Sequence, residues 1–339
     1  MISHEARVER KGALFNIYRA HKVKELVDTI NKTNHVDFIH FSNHGSNSLF
    51  FDRSIPYTIR TSGFYNILYN GASKIGGSLQ YSDNPENDRQ KLEVIAMRNA
   101  KSVIAPSNLL ANIANNELGI KTDVLESPFV FNKDNWNSTV YDTISMDGKK
   151  YVLYYGTFRI LKGIHIIGQI AKELLGKHQN LKLVLCGRDE QINICGEMMA
   201  SDYVKEMAGE YADRVVYAGQ LTREYLYPVI EGAEMVILPS RIENLSNACI
   251  ESMAMGKIVV ATDGASFEQL IDNGKSGFLC ERDNPNSYLQ AVEKVLVLTS
   301  CEKERMVNTA KARISVLEPD NSYNRFLEYY NKIIKEWDN

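Results

Sequence analysis

Residues 234–262, EMVILPSRIENLSNACIESMAMGKIVVAT, constrain the fold more than any other stretch of the chain. Two apolar runs, Met235 to Leu238 and Ile258 to Ala261, bracket a polar loop and a short helical piece. Pro239 and Ser240 close the first run, and Gly256, the residue type that ends helices, precedes the second. The spacing predicts one β-α-β unit whose loop lies at the carboxyl end of a buried strand.

That loop carries Glu243 and the helix after it carries Glu251, eight positions on. The backbone N–H groups of Leu245, Ser246 and Asn247 open the helix, and with the helix dipole they favour an anion. Carboxylates accept hydroxyl donors, so two of them beside an anion site suit a ligand that brings both hydroxyls and phosphate. A nucleotide-activated sugar is such a ligand.

Two glutamates eight apart are common by chance; the flanking Pro239-Ser240, Met253-Ala254, Gly256 and the V-V-A-T strand end are not. Together they resemble the E-x7-E signature of the retaining glycosyltransferases of the GT-B fold, family four (glycosyl transferases group 1), of the kind that builds bacterial surface polysaccharide. The usual form is close to P-S-x-x-E-G-F-G-x-x-x-x-E-A-M-A-x-G-x-P-V-V-A-T. Here Asn244 replaces the first glycine, Leu245-Ser246-Asn247 replaces F-G-x, and Lys257-Ile258 replaces the usual proline and valine. These departures reshape a sugar pocket and leave the class intact.

A second motif precedes the first by about eighty residues. The strand YVLYY, from Tyr151, ends in Gly156-Thr157-Phe158-Arg159, and Lys162-Gly163 opens a helix carrying Ile164, Ile167, Ile170 and Leu174. Gly156 lets a diphosphate approach the backbone, and Arg159 and Lys162 are two cations where the chain turns. An isolated R-x-x-K is more often a solvated helix start. Its place after a strand and a glycine favours phosphate, and the resemblance assigns Arg159 and Lys162 to the leaving diphosphate. A charge pair at ~4 Å and an effective dielectric near 20 is worth about 4 kcal/mol, enough for a large rate effect. The resemblance also assigns Glu251 to ribose hydroxyls and Glu243 to a sugar hydroxyl, with retention of anomeric configuration. It makes Gly187 and Gly219, at the ends of the strands Leu181 to Cys186 and Val215 to Ala218, wall positions around the base. No D-x-D occurs in the chain, so no metal and no cofactor is expected beside the donor substrate.

In the amino-terminal part, Val23, Leu26, Val27 and Ile30 fall at helical spacing. Strands are expected at Val36 to Phe41, Pro56 to Arg60, Ser102 to Ala105 and Thr122 to Leu125, with helices at Arg89 to Asn99 and Leu109 to Leu118. The opening strand and glycine-rich loop of the family's first domain are not found before residue 20, so that domain reads either as shortened at its amino end or as built differently. His44 follows a strand end, where side chains face the ligand crevice of a doubly wound sheet. It is a candidate for sugar hydroxyls, against the plainer reading of a loop histidine bonded to backbone. Ser62 stands where the family often has a donor-sugar histidine. His40 and His44 suit a metal poorly, straddling a strand end with no third ligand nearby. Arg7, Arg10, Lys11, Arg19, Lys22 and Lys24, mixed with Glu5 and Glu9, read as a solvated helix face ahead of a surface for anionic lipid.

These elements define an α/β chain of two Rossmann-like, doubly wound domains in the GT-B manner. Residues 1–131 form the acceptor side, 132–149 a polar linker and 150–319 the donor domain. In the last helix, 320–339, Phe326, Tyr329, Tyr330, Ile333 and Trp337 form an aromatic stripe expected to bury against the first domain. A length of 339 residues suits two domains, and a formal charge of −3 gives no field for gathering nucleic acid. The five cysteines are scattered and odd in number, fitting reduced thiols in a cytoplasm, and neither a membrane span nor a secretory leader is evident. The expected function is transfer of a hexosyl or N-acetylhexosaminyl unit from a nucleotide sugar to a glycan or lipid-linked acceptor. The alternatives are a catalytically silent nucleotide-sugar-binding module and a nucleotide-sugar epimerase. A glycosidase is disfavoured, having no use for the cation pair.

Overall fold

The structure, a computed structural model, describes residues 13–64, 71–77, 79, 88–131, 136–194 and 196–337. Arg7, Arg10, Lys11 and Cys195 therefore lie outside the described residues. The chain forms two compact units, one from Met1–Gly71, Ser78–Pro128 and Asp320–Asn339, the other from Ala72–Gly77 and Phe129–Pro319.

In the first unit, β1 (Ile39–Ser42), β2 (Tyr57–Arg60), β3 (Val103–Ala105) and β4 (Asp123–Val124) form a parallel sheet in chain order. Ile59 and Ile104 are fully buried at its centre. The helix Ala13–Thr33 precedes it, with Lys22 paired to Glu25 at 2.6 Å and Lys24 to Asp28 at 3.0 Å, the pattern of a solvated face. Pro319, a residue type that would break a helix in its interior, stands here at a helix start. It opens the helix Pro319–Glu336, where proline's fixed φ and missing N–H cost nothing. Along that helix Trp337 Nε1 donates to Arg53 O at 2.8 Å, Tyr329 Oη meets Ser102 Oγ at 2.9 Å, and Tyr330 stacks on Phe38 at 4.5 Å. Ile333 and Trp337 are buried, and the other aromatics of the stripe are half-buried.

The second unit holds β5 (Lys150–Tyr155), β6 (Leu181–Cys186), β9 (Val215–Tyr217), β10 (Met235–Leu238), β11 (Val259–Thr262) and β12 (Phe278–Cys280). They pair in parallel in the order β12-β11-β10-β5-β6-β9. Beside this sheet lies a short antiparallel pair, β7 (Gln191–Asn193) and β8 (Glu197–Met199). Along β5, Val152 and Tyr154 face one apolar core while Tyr151, Leu153 and Tyr155 face the other. Burial on both sheet faces is why this strand is apolar almost throughout rather than alternating. The winding leaves β5 toward β6 and later returns to β10 on its other side, which creates a topological switch point between β5 and β10. Among the described residues the first sheet has no such reversal.

The expected linker differs from what is observed. Within it, Thr139–Ser145 is a helix that buries Ile144 and packs against the helix Arg223–Gly232, so these residues belong to the second unit. Their polar composition hides a narrow apolar stripe, Val140, Tyr141 and Ile144, that joins the core beneath β5.

Candidate functional site

The strand ends β5, β6 and β9 supply a backbone floor. Gly156 N donates to Cys186 O at 2.9 Å and Gly187 N to Gly219 O at 2.8 Å. Gly187 has φ +145°, and a Cβ added there would lie 1.7 Å from Gly156 O. Gly187 and Gly219, read from the sequence as wall positions, thus join Gly156 along one backbone-bonded edge, and Gly187 lies too close to Gly156 O to carry any side chain.

The turn after β5 is fixed against the loop after β10. A single 3-10 turn, Ile160–Lys162, ends at Gly163 with φ +76°, where a Cβ would meet Pro239 O at 2.0 Å. Arg241 N donates to Leu161 O at 2.9 Å. These backbone ties span the switch point and bring two expected residues together, Lys162 Nζ donating to Glu243 Oε1 at 2.6 Å. The Glu243 loop is itself braced, its N–H donating to Ala265 O at 3.0 Å while Asn244 O accepts from Ser266 Oγ.

Arg159 turns to a partner the sequence did not reveal. Its Nη2 donates to Glu190 Oε1 at 2.6 Å and its Nε to Glu190 Oε2, while Arg188 Nη2 donates to the same carboxylate. Arg159 first, then Arg188, holds the Glu190 carboxyl below the usual carboxylate range despite partial burial.

Glu251 lies on the helix Asn247–Ala254, capped by Ser246, whose Oγ accepts from Cys249 N at 3.3 Å. Leu245 is half-buried against the core and Asn247 begins the helix. Tyr155 Oη donates to Ala248 O at 2.6 Å and meets Ser252 Oγ at 3.0 Å, which locks this helix onto β5. Glu251 is buried, accepts from Tyr227 Oη at 3.4 Å and stands 3.2 Å from Arg223 Nη2. Burial pushes its carboxyl up, and Arg223 and Tyr227 pull it only partly back. The two glutamates of the signature thus have separate partners, Lys162 and Arg223.

Arg241, an unassigned position inside the signature, is buried. Its Nε donates to Asp283 Oδ2 at 3.0 Å, and its Nη1 to Ala72 O at 3.1 Å and to Lys74 O. His165 Nε2 lies 3.1 Å from Asp283 Oδ1. Asp283 keeps a lowered pKa because His165 and Arg241 outweigh its burial. Arg241 thereby holds the segment 72–77 on the second unit.

In the first unit, His44 and Ser62 meet one network at the carboxyl ends of β1 and β2. Buried Asn43 accepts from Ser62 N at 2.9 Å and donates to Gly63 O at 3.1 Å and Glu93 Oε2 at 3.4 Å. His44 Nδ1 lies 3.6 Å from Glu93 Oε1, which accepts from Gly45 N at 3.1 Å. His40 turns elsewhere, to Tyr330 Oη at 2.5 Å, and burial, with Arg60 nearby, lowers its pKa. Among the described residues no group of three or more His, Cys, Asp or Glu side chains is arranged to hold a metal ion.

The sequence pattern described as glycosyl transferases group 1 matches residues 142–313, just over half of the chain. The chain belongs to that family. The matched residues of this group 1 chain contain all six strands of the second sheet and each element of the site built on it. Over 153 residues it is 30% identical to alpha-D-kanosaminyltransferase of Streptomyces kanamyceticus, covering 44% of this chain and 37% of that protein. The chain spans less than half the length of the curated relatives it matches. In structure it is similar to sucrose-phosphate synthase from Thermosynechococcus elongatus, with TM-score 0.69, 18% identity and coverage of 92% of this chain and 77% of that one. Anabaena HepE in complex with UDP gives TM-score 0.68 at 18% identity, covering 91% and 82%. These likenesses show the fold of the group 1 chain, which is GT-B with parallel α/β units.

Proposed function

We propose that this protein is a metal-independent retaining glycosyltransferase. It moves a hexosyl or N-acetylhexosaminyl unit from a nucleoside-diphosphate sugar to a glycan or lipid-linked acceptor, in polysaccharide synthesis on the cytoplasmic side. The observation that carries the reading is the Lys162–Glu243 contact across the switch point, beside the glycine floor. The floor offers backbone to a diphosphate, and Arg159 and Lys162 follow it in the turn after β5. Breaking the anomeric bond leaves negative charge on the diphosphate, so cations already held in place stabilise the transition state more than the ground state. Lys162 and Arg159 take that role, Glu243 a sugar hydroxyl and Glu251 the ribose hydroxyls.

Titration of the full chain with UDP- and GDP-sugars, followed by melting temperature, tests the donor reading, since a ligand of the native state raises stability by mass action. A rise with one nucleotide series, together with chelator-resistant sugar transfer or donor hydrolysis that Lys162→Ala lowers at least about a hundredfold, is the expected result. Absence of any shift with both series would refute it. A product with inverted anomeric configuration would refute retention alone.

A further inference from the structure

We infer that Glu190 is a built-in stand-in for phosphate: its carboxylate occupies an anion seat formed by Arg159 and Arg188, which the donor's diphosphate takes over by displacing it. The inference rests on the donor-site reading above and adds Arg188 as a binding residue and Glu190 as the competitor.

Three observations carry it. Both guanidiniums already hold an anionic group, Arg159 through two N–H donors and Arg188 through one, and a guanidinium fork fits carboxylate and phosphate oxygens alike. The seat adjoins the floor, since Arg188 directly follows Gly187 and Phe158 N donates to Arg188 O at 2.9 Å. The backbone around the carboxylate is pinned independently: Ala200 N donates to Glu190 O at 3.0 Å, and Asp189 accepts from Ser201 N at 3.1 Å. Glu190 can therefore rotate its side chain away without unravelling the loop.

The exchange is energetically accessible. The side chains of Arg159, Arg188 and Glu190 retain 41%, 55% and 26% of their exposure, and ion pairs this open contribute little to stability. A diphosphate carries more charge than the carboxylate it replaces. Binding must still pay for detaching Glu190, so the apparent affinity of the resting protein is set below that of the bare cation pair.

Calorimetric titration of the full chain with inorganic pyrophosphate and with UDP, at fixed low salt, tests this. We expect E190Q to bind both about three- to tenfold more tightly than the parent and R188Q to bind both more weakly by a similar factor, given the modest strength of such half-open pairs. A purely structural ion bridge would leave R188Q with parental pyrophosphate affinity. That result, or E190Q binding no more tightly than the parent, overturns the inference even where the parent binds UDP well. No binding of pyrophosphate or UDP, nor of GDP titrated in the same way, by the parent or by E190Q fails the donor-site reading and this inference with it.

Discussion

Lys162 Nζ and Glu243 Oε1 are 2.6 Å apart, and each side chain comes from a loop fastened to the other through backbone contacts at Gly163 and Arg241. Glu243 keeps only 14% of its side-chain exposure, so it depends on this partner. Lys162→Ala is expected to lower transfer or donor hydrolysis about 10²- to 10³-fold, the usual cost of removing one preorganised charge donor. It should also lower unfolding free energy by about 1–3 kcal/mol by leaving a carboxylate unpaired. Adding Glu243→Ala should restore stability and leave activity lost. Urea unfolding and initial rates on the two variants check both halves.

Ionising Glu251 is costly because of its burial. Its folded pKa is raised by burial, so near and above the usual carboxylate range the folded chain holds a proton that the unfolded chain has released. The stability from this group is fully present below the unfolded pKa and is lost as pH rises through the folded one. Glu251→Gln should therefore be as stable as the parent or more so at pH 8, with the difference shrinking as pH falls, while UDP affinity drops at least tenfold. A variant that melts lower at pH 8 would contradict this account.

Asp283 has the opposite sign. Its lowered pKa means stability that is present above the unfolded carboxylate pKa and lost as pH falls through the folded value. Asp283→Asn leaves the buried Arg241 without its counter-charge, and breaking such a pair costs about 3–5 kcal/mol. Because Arg241 also holds Ala72 and Lys74, trypsin should cut after Lys74 faster in this variant. Equal cleavage rates would show that the segment is held by other means.

Gly187 and Gly219 separate steric from conformational cost. Both have positive φ, but an added Cβ at Gly187 meets Gly156 O at 1.7 Å, whereas none of the neighbours of Gly219 comes within 4 Å. Gly219→Ala should cost about 1–2 kcal/mol for the backbone alone. Gly187→Ala should cost clearly more and abolish nucleotide binding. Comparable chemical-denaturation midpoints for the two would rule out the close packing of the floor.

The sheet of the second unit was legible because its strands are short apolar runs closed by Gly or Pro, as in YVLYY before Gly156 and MVIL before Pro239. The signature located Glu243 and Glu251 for the same reason, their spacing being local. What was hidden depends on strand order. Arg159 finds Glu190 because β6 pairs beside β5, and Arg241 finds Asp283 because the chain returns past β12. Nothing in the linear sequence marks such partners. The helix Thr139–Ser145 was missed because polar residues surround its three apolar ones, and Asn43 and Glu93 read as ordinary loop and helix residues.

The bare carbons at Gly156, Gly187 and Gly219 also limit how such a pocket can be retuned. On the proposed donor-site reading, a substituent at Gly187 would run into Gly156 before it could discriminate one nucleobase from another. On that reading selectivity would be written on the surrounding side chains, such as Arg188 and Glu190, and an engineer seeking a different donor would leave the bottom untouched and redraw the edge.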